Sequence, residues 1–259
     1  MIIAFSDLDG TFLDHRTYRY DRSLDGYNLL QECSIPLIFV SSKTFEEMSQ
    51  FCIKLGHTFP FIFENGGGFG RYDSNDNAFY PELTGIRYED LVASKETLKR
   101  AVEVPIVTFD EMSVADVAAC TGLPQSDAVS AKKRMGSLPF LSKTGAAIDL
   151  DRVNGILKEY GTVCTKGGRL YSFSSVSSTK GTAVLDYIRT QGSGNVVSMA
   201  VGDSENDVPM LDAVTSPYAV RRHDGTHLQN KRYHITASAG PEGFTEAVKH
   251  FVDSLPCIE

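Results

Sequence analysis

Two carboxylates separated by one residue follow a short apolar run near the start of the chain. Asp7 and Asp9 come after the strand-like segment from Ile2 to Phe5. Side-chain alternation along a strand points both carboxylates to similar sides, and Gly10 permits a tight turn away from the sheet. Acidic pairs before glycine also occur in turns and calcium loops. The position at the carboxyl end of a first strand favours a functional pair, because open α/β sheets bind ligands there.

Hydroxyl side chains and a lysine follow the second apolar run, which covers Pro36 to Val40, and a helix from Phe45 to Leu55 is predicted after them. The candidates are Ser41, Ser42 and Lys43. Hydroxyls and main-chain N–H groups at the start of a helix suit a phosphate group. Ser and Thr are also the usual N-cap residues, so a capping role is the alternative interpretation of this segment.

Lys180 stands in the first turn of a predicted helix that ends near Arg189. A cation at this end of a helix faces the positive end of the macrodipole, which is mildly unfavourable unless an anion shares the site. This position favours a functional lysine, although solvated lysines are common on helices.

A later strand, Val196 to Val201, ends at a second acidic cluster. Ser204 and Asp207 have the spacing of a capping box, with Asp in place of the usual Glu, so Asp207 has a structural explanation. Asp203 precedes the cap at the end of the strand, where a carboxylate could hold a hard cation together with Asp7.

Strands alternate with helix-period segments at both ends of the chain, which predicts right-handed crossovers and a parallel sheet. The expected fold class is α/β, with a Rossmann-like doubly wound parallel sheet as the core and an inserted α+β cap domain. We assign residues 1–80 and 173–259 to the core and 81–172 to the insertion, which must bury a core of its own. Predicted helices of the insertion cover 88–102, 114–120, 127–135 and 153–160. The serine-rich segment 172–178 is the expected hinge.

Composition restricts the partner and the compartment. Lys and Arg number 25 against 33 Asp and Glu, giving a net charge of −8, which argues against nucleic acid or an anionic membrane as partner. The five cysteines lack metal-site spacing and fit free thiols in a reducing cytosol. Only six residues precede Asp7, too few for a secretion signal. We expect a cytoplasmic protein, monomeric or a weak homodimer, that acts on a small phosphorylated metabolite.

These segments, in this order, resemble the haloacid dehalogenase superfamily. The matching elements are DxDGT at 7–11, the strand-terminal Ser41, Lys180, and GDxxND at 202–207. The insertion lies between the second and third elements, where the superfamily carries C2-type caps.

The resemblance implies a magnesium-dependent phosphatase with an aspartyl-phosphate intermediate. Asp7 would be the nucleophile and Asp9 the general acid and base, with Ser41 and Lys180 binding the phosphoryl oxygens. Mg²⁺ would be held by a set comprising Asp7, Asp9, Asp203 and Asp207.

Within the superfamily, the chain most resembles the mannosyl-3-phosphoglycerate phosphatases. Ser41-Ser42-Lys43-Thr44, Glu64-Asn65-Gly66-Gly67 and Gly167-Gly168-Arg169 carry this likeness. It implies mannosyl-3-phosphoglycerate or a related glycosyl-3-phosphoglycerate as substrate, with a carboxylate clamp formed by Arg134 and Arg169. The substrate-binding candidates are Ser42, Lys43, Asn65, Gly66, Gly67, Arg134, Gly168, Arg169 and Asn206.

Structural and functional alternatives stay open at this point. Asn65-Gly66-Gly67 is also typical of a hairpin turn between Ile62 and Phe69, and the basic run ending at Arg134 is typical of a solvated helix face. Leu138 and Tyr171-Ser172 depart from the family pattern. The alternatives are a broad-specificity sugar-phosphate or phosphoglycolate phosphatase, a phosphomutase, and a pseudo-phosphatase that serves as a binding module.

Overall fold

Strands and helices alternate along the computed structural model, which describes residues 1–167, 170–192 and 194–256. The strands are β1 (Ile2–Ser6), β2 (Leu37–Val40), β3 (Phe61–Phe63), β4 (Gly68–Asp73), β5 (Ala78–Leu83), β6 (Ile106–Thr108), β7 (Ser137–Ser142), β8 (Thr162–Lys166), β9 (Tyr171–Ser175), β10 (Val197–Gly202), β11 (Ser216–Arg221) and β12 (His234–Ala239). The α-helices are α1 (Leu24–Glu32), α2 (Phe45–Leu55), α3 (Tyr88–Ala93), α4 (Lys95–Val102), α5 (Val114–Thr121), α6 (Gln125–Ala131), α7 (Leu150–Leu157), α8 (Lys180–Thr190), α9 (Val208–Asp212) and α10 (Gly240–Ser254). Short 3-10 helices cover Asp21–Ser23, Lys158–Tyr160 and Glu205–Asp207. Within the described ranges, every helix is too short or too polar to traverse a lipid bilayer.

The first of two compact units, Met1–Ser41 with Lys180–Glu259, is built on a parallel sheet. Its strand order is β12-β11-β10-β1-β2, and each neighbouring pair runs parallel. The central strands β1, β2 and β10 are mainly apolar and buried beyond their first residues, as is usual where both faces of a sheet are covered. The chain passes from β1 to β2 on one side and returns to β10 on the other. A topological switch point therefore lies between β1 and β10, at whose carboxyl ends such sheets bind ligands.

The second compact unit, Ser42–Thr179, contains the antiparallel meander β3-β4-β5 and the antiparallel sheet β6-β7-β9-β8. The latter sheet and its helices enclose a separate hydrophobic core. This core includes Leu91, Leu98, Leu138, Phe140, Val153, Leu157 and Phe173. The α/β class, with a Rossmann-like parallel core and an additional α+β module, is confirmed. The limits of the insertion at residues 81 and 172 stay a prediction.

The predicted helix 88–102 is wrong as a single element, because the chain forms α3 and α4 with a break at Ser94. Ser94 has φ −91° and ψ 4°, and its hydroxyl donates to the Leu91 carbonyl oxygen at 3.0 Å. Serine competes for main-chain hydrogen bonds in this way, which interrupts a helix that its apolar periodicity would allow to continue.

The predicted helix 127–135 ends four residues early, at Ala131. Beyond that point the main-chain N–H groups of Met135 and Gly136 donate to the carboxylate of Glu64, not to helix carbonyls. A tertiary contact therefore overrides the local helical preference of this basic segment.

Two strands were not expected from the sequence, namely β5 and β8. Pro81 in β5 is a residue that normally weakens a strand signal. The predicted hinge 172–178 also differs, because the chain through Ser175 belongs to β9.

Candidate active site

Sheet register brings the ends of β1 and β10 together. Ser6 is paired with Val201, and the Asp7 main-chain N–H donates to the Val201 carbonyl oxygen at 2.9 Å. Asp203 follows β10 by one residue, so its carboxylate lies beside that of Asp7 at the switch point. Two acidic residues nearly 200 positions apart in sequence become neighbours in this way.

The carboxylates of Asp7, Asp203 and Asp207 form a cluster in which one oxygen from each lies within 4.8 Å of the others. Among the described residues, Oδ1 of Asp203 is buried without a hydrogen-bond partner. A buried carboxylate oxygen with no donor fits a bound cation, because leaving it unsatisfied is costly. The cluster can therefore hold a metal ion, and Asp203 is its most available ligand.

Asp207 is already engaged on both of its carboxylate oxygens. One accepts from Lys180, and the other accepts from the main-chain N–H groups of Asp203 and Ser204, both at 3.0 Å. The capping box between Ser204 and Asp207 is present as the spacing predicts. Asp207 thus fixes the loop that carries Asp203, and its direct contact with a metal ion stays a prediction.

Lys180 is buried at the first position of α8, where only 1% of its surface is exposed. Its Nζ lies 2.5 Å from Oδ1 of Asp7 and 2.6 Å from Oδ1 of Asp207. Burial alone would lower the pKa of this ammonium group, but the charges of Asp207 and Asp7 reverse the effect and raise it. Lys180 is therefore protonated, and its two carboxylate partners offset the unfavourable helix dipole noted above.

Burial raises the pKa of Asp7 well above its usual value, against the opposing effect of Lys180, and neighbouring carboxylates raise it further. Burial likewise raises the pKa of Asp203, to about 7, with Asp207 adding to the shift. Both shifts arise because several acidic groups share one enclosed site with a single buried lysine. An additional cation at this site would stabilise the ionised forms.

Two glycines are required by the crowding around these carboxylates. Gly10 has φ +88°, and a Cβ there would lie 2.9 Å from Oδ2 of Asp203. A Cβ at Gly202 would lie 2.6 Å from the Cβ of Asp207. Both glycines let the main chain approach the acidic cluster closely, which explains the DG and GD pairs of the sequence.

The N-cap of α2 is Thr44, whose hydroxyl accepts from the Glu47 N–H at 3.2 Å within a capping box. The capping alternative therefore applies to Thr44 and leaves Ser41 and Ser42 outside that role. Ser41 is buried directly after β2 in the first unit. Asn206 accepts from the Ser204 hydroxyl at 2.6 Å in the loop that carries Asp203.

In the second unit, Glu64 to Gly67 form the predicted turn, since β3 and β4 pair as an antiparallel hairpin on either side of them. Arg134 donates from Nη1 to the Ser42 carbonyl oxygen and from Nε to that of Ala131, both at 2.8 Å. Predicted substrate contacts at Ser42 and Arg134 are thus neighbours. Gly168 and Arg169 lie outside the described residues, as does Cys257.

Arg222 is a site residue that sequence reasoning missed. Its Nε donates to the main-chain carbonyl oxygen of Asp203 at 2.9 Å and lies 3.8 Å from Oδ2 of the same residue. The available signal was the run Arg221-Arg222-His223 directly after the short apolar segment 217–220, because strand ends of a parallel sheet share one edge.

Known proteins of similar sequence indicate the family of the chain. A family model described as haloacid dehalogenase-like hydrolase matches residues 4–248. The chain is 32% identical, over 271 aligned positions, to the glucosyl-3-phosphoglycerate/mannosyl-3-phosphoglycerate phosphatase of Methanococcoides burtonii, covering 96% of this chain and 97% of the relative. It is 30% identical over 244 positions to the protein of the same name from Persephonella marina, covering 90% and 87%. The solved sucrose-phosphatase of Synechocystis, in complex with sucrose and phosphate, is similar with a TM-score of 0.65 at 14% identity, covering 97% of this chain and 98% of that one, which shows the fold alone.

Proposed function

Because the chain belongs to the haloacid dehalogenase-like hydrolases, we propose that it is a phosphatase that hydrolyses mannosyl-3-phosphoglycerate or its glucosyl analogue. The observation that carries the chemistry is the buried contact between Lys180 and Asp7 beside the available carboxylate oxygen of Asp203. The substrate is inferred from two relatives at 30% identity or more that align with 90% or more of this chain.

In the proposed reaction, a carboxylate oxygen of Asp7 attacks the phosphorus in line and the bond to the leaving alkoxide breaks. Asp9 donates a proton to that alkoxide. Asp9 then takes a proton from water, which attacks the aspartyl phosphate and regenerates Asp7 with release of phosphate. Lys180 orients Asp7 and neutralises charge on the transferring group, and the Ser41 hydroxyl donates to a phosphoryl oxygen.

The proposed cofactor is Mg²⁺, held by the carboxylates of Asp7 and Asp203 and the main-chain carbonyl of Asp9. When bound, it supplies positive charge that lets an anionic carboxylate approach an anionic phosphoryl group. Asp207 and Asn206 orient the loop around it, as residues behind a metal ligand commonly do.

Arg222→Met is expected to lower the affinity for Mg²⁺ by about tenfold or more, because the variant loses the donor that fixes the Asp203 main chain. Titration calorimetry with Mg²⁺ and no substrate measures this directly. Arg221→Met is the matched control, since the Arg221 guanidinium donates to the Gly225 carbonyl oxygen at 3.0 Å. Equal Mg²⁺ affinities in the two variants would rule out a role for Arg222 at the metal site.

For the substrate, we propose contacts from Ser42, Lys43, Asn65, Gly66, Gly67, Arg134, Gly168, Arg169 and Asn206. The clamp on the glycerate carboxylate combines Arg134 with Arg169, and the turn at 65–67 presents main-chain amides to the glycosyl group. Arg134 uses two of its five guanidinium N–H donors on main-chain carbonyls, so donors remain for a carboxylate. Its position is fixed by those two bonds, which reduces the entropy lost on binding.

Phosphate release with Mg²⁺ tests the substrate against a panel of mannosyl- and glucosyl-3-phosphoglycerate, phosphoglycolate, hexose phosphates and sucrose phosphate. We expect kcat/KM for a glycosyl-3-phosphoglycerate to exceed the others by about a hundredfold, or about 2.7 kcal/mol of discrimination. A flat profile would instead favour a broad-specificity sugar-phosphate phosphatase. Transfer of phosphate to the product without incorporation of labelled solvent oxygen would indicate a phosphomutase.

The proposed setting is the cytoplasm, with the protein as a monomer or weak homodimer and no nucleic-acid or membrane partner. Four described cysteines, Cys33, Cys52, Cys120 and Cys164, are free thiols, which suits a reducing compartment. The net charge of −8 is also unfavourable for binding polyanions outside a local basic site.

A further inference from the structure

Glu64 is a buried carboxylate with an unusual number of fixed contacts. Only 1% of its surface is exposed. Its side chain accepts hydrogen bonds from the main-chain N–H groups of Met135 at 2.8 Å and Gly136 at 3.1 Å, and from the hydroxyl of Ser137 at 2.6 Å. Its own N–H donates to the Lys43 carbonyl oxygen at 2.9 Å. Glu64 therefore joins three chain segments that are distant in sequence.

The turn that begins at Glu64 has a strained backbone. Glu64, Asn65 and Gly66 have φ values of +50°, +57° and +105° in succession. Non-glycine residues rarely occupy this region, and such conformations persist where surrounding contacts over-determine them. The four hydrogen bonds of Glu64 supply such contacts, so the conformation of Asn65 and Gly66 depends on this carboxylate.

The segment that contains Arg134 and Gly136 also lies close to this turn. A Cβ at Gly136 would lie 3.1 Å from the Cα of Gly67, so the two main chains touch. Arg134, two residues earlier, donates to the Ser42 carbonyl oxygen. The proposed substrate contacts at Ser42 and Lys43, at Asn65 to Gly67, and at Arg134 thus converge on Glu64.

We infer that Glu64 is a positioning residue for substrate specificity, whose carboxylate fixes the turn carrying Asn65 relative to the segment carrying Arg134. This inference rests on the proposed function, because the two segments are proposed to bind the glycosyl and glycerate parts of one substrate. Glu64 is too deeply buried to touch that substrate. It acts by keeping two binding segments at a fixed separation, so that no binding energy is lost in ordering them.

Glu64→Gln tests the inference with almost no change in side-chain volume. An amide cannot accept at both positions, so at least one of the Met135 and Gly136 N–H groups loses its partner. We expect amide hydrogen exchange at residues 64–67 and 133–137 to accelerate by about tenfold or more in the protein without ligand. Exchange in β8 and β9 should stay as in the unsubstituted protein.

Glu46→Gln is the matched control, because Glu46 contacts the same segment through an exposed ion pair with Lys133 at 2.6 Å. Exposed pairs contribute little, so its exchange pattern should be unchanged. Ser137→Ala removes only the hydroxyl donor and should loosen the same amides to a smaller extent. It provides the test if Glu64→Gln does not fold.

The kinetic measurement separates positioning from general stability. In Glu64→Gln, KM for mannosyl-3-phosphoglycerate should rise about tenfold or more, while kcat/KM for p-nitrophenyl phosphate, which lacks both recognised groups, changes by less than about twofold. An equal fall for both substrates, or unchanged exchange at 64–67 and 133–137, would overturn the inference. If the unsubstituted protein shows no preference for glycosyl-3-phosphoglycerates, the proposed substrate fails, and the exchange data alone decide whether Glu64 fixes the two segments.

Discussion

Asp7→Asn is expected to abolish turnover and the phosphorylated enzyme together, with kcat lowered by at least about 10⁴-fold. The substitution preserves the shape of the side chain but replaces the attacking oxyanion with an amide that cannot form the aspartyl phosphate. The substitution should weaken the contact with Lys180, but it removes none of the main-chain pairing between β1 and β10. Acid-quenched labelling with radioactive phosphate and phosphate release measure the two quantities in parallel.

Asp9→Asn is the matched comparison, because it removes the proposed general acid and base, which lies two positions after Asp7 in the sequence. It should lose turnover yet still bind inorganic phosphate with Mg²⁺, since the nucleophile and Lys180 are intact. Substantial turnover by Asp7→Asn would remove Asp7 from the nucleophile's role. Equal loss of phosphate binding in both variants would contradict the division of roles between the two carboxylates.

Lys180→Met is expected to lower the free energy of unfolding by about 3–5 kcal/mol in the absence of divalent cations. The variant leaves Asp7, Asp203 and Asp207 clustered within 4.8 Å without their buried cation. Saturating Mg²⁺ should restore part of this stability, because a second cation can then neutralise the same carboxylates. Urea unfolding with and without Mg²⁺ measures both effects.

Arg189→Met provides the control on the same helix, because the bond between Arg189 and Asp186 is exposed to solvent. Exposed pairs are worth less than about 1 kcal/mol, so this variant should unfold close to the unsubstituted protein. Lys180→Met and Arg189→Met unfolding at the same urea concentration would mean that the buried lysine does not balance the acidic cluster. If Mg²⁺ stabilised Lys180→Met only as much as it stabilises the unsubstituted protein, that result would also mean that Lys180 does not balance the acidic cluster.

Local patterns in the sequence were sufficient to predict the fold of the first compact unit. Each proposed catalytic residue follows a short apolar strand or opens a helix, and the observed α2 matches its predicted limits at Phe45 and Leu55. These signals are strong because buried parallel strands are almost wholly apolar and because caps require particular residue types. The limits of helices in the second unit were less predictable, since the break at Ser94 and the early end at Ala131 depend on individual hydrogen bonds.

The sequence by itself determined which residues are candidates for the proposed chemistry: the acidic residues after two strands, the serine after a third, and the lysine at a helix start. Only the tertiary structure decided which of these side chains contact one another. Asp207 contacts Lys180 and its own loop, Oδ1 of Asp203 accepts no hydrogen bond from the described residues, and Arg222, which follows β11, contacts Asp203. The tertiary structure also joined Glu64 to Met135, 71 positions away in sequence. The reason is physical: strand ends and caps follow from local periodicity, whereas the partner of a buried charge depends on which distant segments the sheet register and loop packing bring within hydrogen-bonding distance.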